Sequence, residues 1–256
     1  MKIGIIQGRL SPPHNGFQET PTEWEREFDL LPKLGLNHIE WIVTKENFNT
    51  NPLFTNNLTN YPISSICADF MVDNNFYNPT YLDLTLKKIC YLAISNNIKY
   101  VTIPLLENSS VNNYKILKKF INSFQPYLKT FNNLNFLIEA ESSFKLVKEL
   151  LNLSNNIFLT YDTGNITSCG FNHYEYLSNC ISKIKTIHLK DRTKNPIKTV
   201  PPFTGDTDFN LIFKTLKDLN YRGNFTIQTA RGKTGDEIQT IKTQTQKFKQ
   251  LYEKFI

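Results

Sequence analysis

Four cysteines in 256 residues, Cys67, Cys90, Cys169 and Cys180, form no CxxC pair. Two of them lie inside apolar runs, as small buried hydrophobes do, so neither a disulfide framework nor a zinc-thiolate site is expected. The ten glycines include no GxGxxG turn, which removes the usual signature of a dinucleotide-binding sheet. No apolar run approaches the roughly 18 residues of a membrane span, and the opening MKIGIIQGRL is too short in its apolar part for a signal peptide. A cytoplasmic location and no membrane partner are therefore expected. Acidic residues are in modest deficit, 23 against 29 Lys plus Arg, for a net charge of +6. This excess is spread along the chain, which permits an anionic substrate but gives no basic block of the kind that grips nucleic acid. Lys242, Lys247, Lys249 and Lys254 read as a solvated helix face.

What is present is a regular alternation. Hydrophobic residues make up 40% and charged residues 20%, enough apolar material for a large core. Eight short β-branched runs recur: KIGIIQ (2–7), HIEWI (38–42), PISSICA (62–68), KYVTIP (99–104), NFLIEAE (135–141), IFLTYD (157–162), KTIHLK (185–190) and NFTIQT (224–229). Helical patterns fill the intervals over 22–35, 81–97, 113–128, 144–153, 208–220 and from about 236 onward. The first has Thr22 as cap with Glu25 three residues on, and ends at Gly35, with Pro32 expected to stop or kink it early. Residues 51–60 and the stretch around His173 carry the weakest helical signal. Eight strands with crossover helices and no linker predict an α/β chain forming a single (β/α)8 TIM barrel over residues 1–256, a parallel eight-stranded barrel with outer helices.

In such a barrel, polar side chains at the carboxyl ends of the strands gather in the active-site bowl. Strand five presents Glu139 and Glu141, strand six Asp162, strand seven His188 and Lys190 with Asp191 and Arg192 beyond, and the last strand Gln228. Carboxylate, imidazole and amide oxygen together suit one divalent metal ion such as Mn, Mg, Co or Zn, with open positions for substrate oxygens. Each residue also has a plain structural role open to it: Glu139 could pair with Lys190, Asp162 in DTGN could cap a helix, and His188 could be a satisfied core histidine. Their coincidence at one rim favours a site, because grouping so many buried charges is costly unless they neutralise one another or a cation. Gln7, Arg9, Glu40, Trp41 and Asp69 are further substrate-contact candidates, and Arg192 and Arg231 follow the strands where barrels often bind phosphate. The loop over 9–21, with His14, Gly16 and Phe17, has the length of a lid.

GLNHIEW (35–41), SICADF (65–70), LIEAE (137–141), TYDTGN (160–165), IHLKDR (187–192) and the segment over 203–228, in this order and spacing, resemble the xylose isomerase-like barrel superfamily. This is the sugar phosphate isomerase/epimerase group that also contains the endonuclease IV relatives. The resemblance implies a divalent ion held by Glu139, Asp162, His188 and the residue at 228. In the family that fourth ligand is a second Glu, which works with the first as acid and base on either face of a metal-chelated substrate. Here it is Gln228, whose amide oxygen can coordinate but cannot shuttle a proton at neutral pH. The formal ligand charge falls from −3 to −2, which weakens metal affinity and strengthens the bound ion as a Lewis acid. Glu139 would then act alone, or Glu40, Glu141 or Asp191 would supply the second group. The extra histidines of the endonuclease branch have no counterparts among the four present.

The expectation is a metal-dependent isomerase or epimerase acting on a sugar or sugar phosphate. Glu139 would be base and ligand, Asp162 and His188 ligands, Gln228 a weak ligand or substrate contact, and Lys190 a stabiliser of developing oxyanion charge. Two rivals remain at this stage: a metal-dependent hydrolase or lyase on the same scaffold, and a binding protein that kept the bowl and lost the ion. The exposed helices of a barrel also suit a homodimer.

Overall fold

A computed structural model describes residues 1–13, 21–72 and 76–255. Eight parallel strands form a closed barrel: β1 (Lys2–Ile6), β2 (Ile39–Ile42), β3 (Ile63–Cys67), β4 (Tyr100–Leu105), β5 (Asn135–Ala140), β6 (Ile157–Asp162), β7 (Ile184–Leu189) and β10 (Asn224–Ile227), with β10 closing onto β1. A two-stranded antiparallel hairpin, β8 (Asp191–Lys194) and β9 (Ile197–Val200), follows β7. It was not expected, because its residues carry no apolar run and only Asp191 among them is buried. Each barrel strand coincides within two residues with one of the eight runs read from the sequence. Their continuous burial on both faces is what a parallel sheet beneath helices requires. By internal contacts the chain falls into two units, one of residues 1–39 and 161–256, the other of residues 40–160, and the boundary passes through β2 and β6.

In the first unit, α1 (Trp24–Leu34) ends where Gly35 adopts a left-handed φ of 66°, as a C-cap glycine should. Thr22 and Glu25 do not form the expected capping box; Glu23 takes the N-cap position without a side-chain hydrogen bond, and the helix runs two residues past Pro32. The stretch around His173 holds two short helices, α6 (Thr163–Ser168) and α7 (His173–Cys180), each started by a side-chain cap from Asp162 and Asn172. Phe209 and Phe213 of α8 (Phe209–Asp218), Phe225 of β10 and Phe248 of α9 (Glu237–Phe255) stack into one aromatic cluster, with ring centroids 5.2 Å apart for Phe209–Phe248 and 5.7 Å for Phe213–Phe225. Each fully buried phenyl ring contributes about 2–3 kcal/mol, which is what fastens these helices to the strand.

In the second unit the helix expected over 81–97 is two helices, α2 (Pro79–Leu84) and α3 (Leu86–Ser95). The break falls at Thr85, whose hydroxyl donates back to the Tyr81 carbonyl at 2.7 Å, a local competition that bends helices. Residues 51–60 carry only a single 3-10 turn, Pro52–Phe54. Phe124 of α4 (Tyr114–Thr130) packs on Phe136 of β5 with ring centroids 5.0 Å apart, and Phe120 stacks on Phe124. The helix α5 (Phe144–Leu151) completes the unit. All four cysteines are free.

Candidate metal and substrate site

Strand β6 ends in Asp162, whose carboxylate does two things at once. Oδ1 accepts the Asn165 N–H at 2.7 Å and so caps α6. Oδ2 lies 3.0 Å from Lys190 Nζ and 3.9 Å from His188 Nδ1, all three side chains being almost wholly buried. The helix-cap reading of this residue holds, and its second oxygen faces the Lys190 ammonium. Burial by itself would push the Asp162 carboxyl up; the Lys190 ammonium, His188 and the Asn165 N–H outweigh it and hold the group below its ordinary value.

The end of β7 is tied to α6 by Thr163, which the sequence reading missed. Its hydroxyl lies 2.6 Å from the Lys190 carbonyl and accepts the Lys190 N–H at 3.0 Å. Gly164 matters for the same reason: a Cβ there would stand 2.8 Å from Lys190 Cγ and 3.0 Å from Cδ, so only glycine lets the lysine stem cross the start of α6. The small-residue pair after Asp162 was the signal available for both.

Register places Thr226 of β10 beside His188 of β7. Two residues on, Gln228 donates its N–H to the Leu189 carbonyl at 3.1 Å, and its buried side-chain Oε1 has no hydrogen-bond partner among the described residues. An orphaned acceptor at a strand end is suited to a cation or a substrate hydroxyl.

In the second unit Glu139 is 2% exposed at the end of β5. The β5–β6 ladder pairs it with Thr160, and Asp162 is two residues further along that same strand. Glu139 supplies a second buried carboxylate at a strand end, the donor type that hard divalent cations take. In the first unit the Asp162 carboxylate, the His188 imidazole and the neutral Gln228 oxygen are donors of the O and N types that such cations take.

Several other candidates are engaged elsewhere. Asp191, fully buried, accepts the backbone N–H groups of Thr204 at 3.1 Å and Gly205 at 2.9 Å on Oδ2 and of Thr207 at 3.2 Å on Oδ1. It holds the 204–207 loop. Arg231 donates from Nη1 to the Ser11 carbonyl at 2.9 Å and from Nη2 to the Gly8 carbonyl, so its guanidinium secures the loop after β1. Glu27 grips that loop from α1, accepting from the Gly8 N–H, the Leu10 N–H and the Ser11 hydroxyl at 2.8–3.0 Å. A carboxylate on the apolar face of α1, between Trp24 and Leu31, was the sequence signal for this overlooked residue. Arg9 is buried in the same region, its pKa pushed down to about 9 by burial and by the Arg231 cation, with Glu27 pulling the other way.

Trp41 and Glu40 are neighbours on β2 and so face opposite sides. The indole N–H of Trp41 donates to Asn51 Oδ1 at 2.8 Å, and Glu40 accepts from the Thr102 hydroxyl at 2.8 Å. Glu141 accepts the Glu107 N–H at 3.3 Å, and Asp69 opens a 3-10 turn after β3. Arg192 reaches the Ser168 hydroxyl at 3.3 Å, and Gln7 is buried just past the end of β1. His14, Gly16 and Phe17 of the expected lid lie outside the described residues. No helix among those residues is long and apolar enough to cross a membrane.

Comparison with known proteins follows the same lines. A family model described as a xylose isomerase-like TIM barrel matches residues 123–251, half of the chain. An inosose dehydratase of Clostridium perfringens is 29% identical over 101 residues, 32% of this chain and 34% of that protein; the chain thus spans about a third of that relative's length. Among solved structures, the IOLI protein with a bound zinc atom superposes with a TM-score of 0.70 at 18% identity, covering 100% of this chain and 99% of the other. An L-ribulose 3-epimerase superposes with a TM-score of 0.73 at 14% identity, covering 99% and 95%. At those identities the superpositions speak for the fold.

Proposed function

The chain belongs to the xylose isomerase-like TIM barrel family, and on that footing we propose that it is a divalent-metal-dependent enzyme that moves a proton next to the carbonyl of a sugar or sugar derivative. The observation that carries this reading is the buried Asp162 carboxylate, whose Oδ2 lies 3.0 Å from Lys190 Nζ and 3.9 Å from His188 Nδ1, with the orphaned Gln228 oxygen in the same unit; Glu139, buried at the end of β5, is the donor that the family likeness adds. A divalent cation held there supplies Lewis acidity, polarising a substrate carbonyl and acidifying the neighbouring C–H. Glu139 takes that proton. Gln228 accepts a hydrogen bond or coordinates, but carries no proton at neutral pH, so a second carboxylate does not act from its position. A single base both removes and returns the proton, which suits an isomerase shifting it between adjacent carbons.

The same observation at 228 favours a second reading, loss of water from the carbon beyond the one deprotonated, as the name of the inosose dehydratase relative suggests. Both reactions begin with the same proton abstraction. Incubation of the metal-loaded protein with a panel of ketoses, inososes and their phosphates in deuterium oxide separates them: isomerisation replaces a carbon-bound proton by deuterium and keeps every oxygen, whereas dehydration removes one molecule of water. Glu139→Gln is expected to lower exchange at least 100-fold while leaving the fold intact. Full exchange in that variant removes Glu139 from the role of base.

A further inference from the structure

Asp162 has one oxygen committed to the backbone of α6, since Oδ1 accepts the Asn165 N–H at 2.7 Å. Oδ2 is the oxygen left for a cation, and Lys190 Nζ already stands 3.0 Å from it, with the two side chains only 10% and 1% exposed. The position of the ammonium is built in. Gly164 clears the path of the lysine stem, where any Cβ would meet Lys190 Cγ at 2.8 Å, and the Thr163 hydroxyl fixes the backbone of Lys190 on both its N–H and its carbonyl. A divalent ion on Oδ2 would sit within a few ångströms of this ammonium. In buried surroundings that like-charge repulsion is large compared with the same pair in water.

Resting on the metal-dependent reading above, we infer that Lys190 is an internal competitor for the cation at Asp162, which keeps the metal weakly held and exchangeable. Glu139 and Asp162 bring two negative charges, Gln228 brings none, and Lys190 cancels one of the two. Lys190 is thus a positioning and charge-setting residue; it acts on the ion through Asp162.

The test is Mn²⁺ alone, titrated into chelator-treated protein, with free Mn²⁺ read by electron paramagnetic resonance. Lys190→Met is expected to tighten the dissociation constant about tenfold or more, and Lys190→Arg, which keeps the charge, to stay within about threefold of wild type. Because Lys190→Met leaves the Asp162 carboxylate buried without its ammonium, Lys190→Gln serves as the second variant, retaining a neutral donor to Oδ2; it should tighten binding in the same direction. The rise in Tm on adding Mn²⁺ should also be larger in both neutral variants than in wild type. Binding that is unchanged or weaker in Lys190→Met and Lys190→Gln overturns the inference and makes Lys190 a brace for Asp162. If His188→Ala abolishes Mn²⁺ binding, the ion is at the assigned site. A wild-type protein that binds no Mn²⁺ in any form overturns the metal reading itself, and the inference with it.

Discussion

Replacing Asp191 distinguishes a scaffold carboxylate from a catalytic one. Its oxygens accept three backbone N–H groups, those of Thr204, Gly205 and Thr207, at 2.9–3.2 Å, and the side chain is 0% exposed. Hydrogen bonds of this kind contribute roughly 1–1.5 kcal/mol each. Asp191→Ala is thus expected to cost about 3–4.5 kcal/mol, which for a chain of this size lowers Tm by about 6–18 °C. Asp191→Asn should cost about half as much: its oxygen can still serve Thr204 and Gly205, while its NH2 group faces the Thr207 N–H, donor against donor. Gly205→Ala should be at least as damaging as the asparagine variant, since the new Cβ would stand 2.4 Å from Asp191 Oδ1, 2.8 Å from Val200 Cγ2 and 2.9 Å from the Arg192 carbonyl. Urea and thermal unfolding followed by circular dichroism give these values directly. An Asp191→Ala protein within about 1 kcal/mol of wild type that nevertheless loses turnover refutes the argument, and returns Asp191 to direct work on substrate.

Three further outcomes can be checked. His173 is held neutral, its pKa lowered to about 4 from 6.5, chiefly by burial, with Asp208 raising it and Lys194 lowering it. Below pH 6.5 the unfolded chain therefore takes up a proton that the folded protein refuses, so stability is full above about 6.5 and falls by about 3 kcal/mol as pH drops to 4. Urea titrations at pH 4.5 and 7 should show His173→Asn losing less over this interval than wild type, and equal slopes would refute the assignment. Gln228→Glu restores a third ligand charge and should tighten Mn²⁺ binding about tenfold by the same resonance assay; no change would place residue 228 outside the ion's reach. Arg231→Met removes two charged donors from the loop carbonyls of Gly8 and Ser11 and should cost about 2 kcal/mol in urea unfolding. Unchanged stability with weakened substrate affinity would instead make Arg231 a substrate contact.

Much of the barrel was legible in the chain. A strand buried on both faces must be apolar nearly throughout, and the eight β-branched runs met that demand one by one. Helix boundaries were less legible where a local polar group decided them, as at Thr85, whose hydroxyl competes for a helix carbonyl. The β8–β9 hairpin escaped notice because only Asp191 of its residues is buried and no apolar period marks it.

Read alone, the sequence determined which strand ends bear polar groups, and it singled out Glu139, Asp162, His188 and Gln228 among them. Alternation along a strand assigns a side chain to a face through local geometry, so no tertiary information is needed for that step. It does not assign a partner. Tertiary structure alone decided that Lys190 turns to Asp162, that Asp191 gathers a loop 13–16 residues ahead, and that Arg231 secures carbonyls 220 and 223 residues away. Charged groups of the same type at the same rim differ only in what lies within about 3 Å of them, and that distance is set by how the whole chain closes.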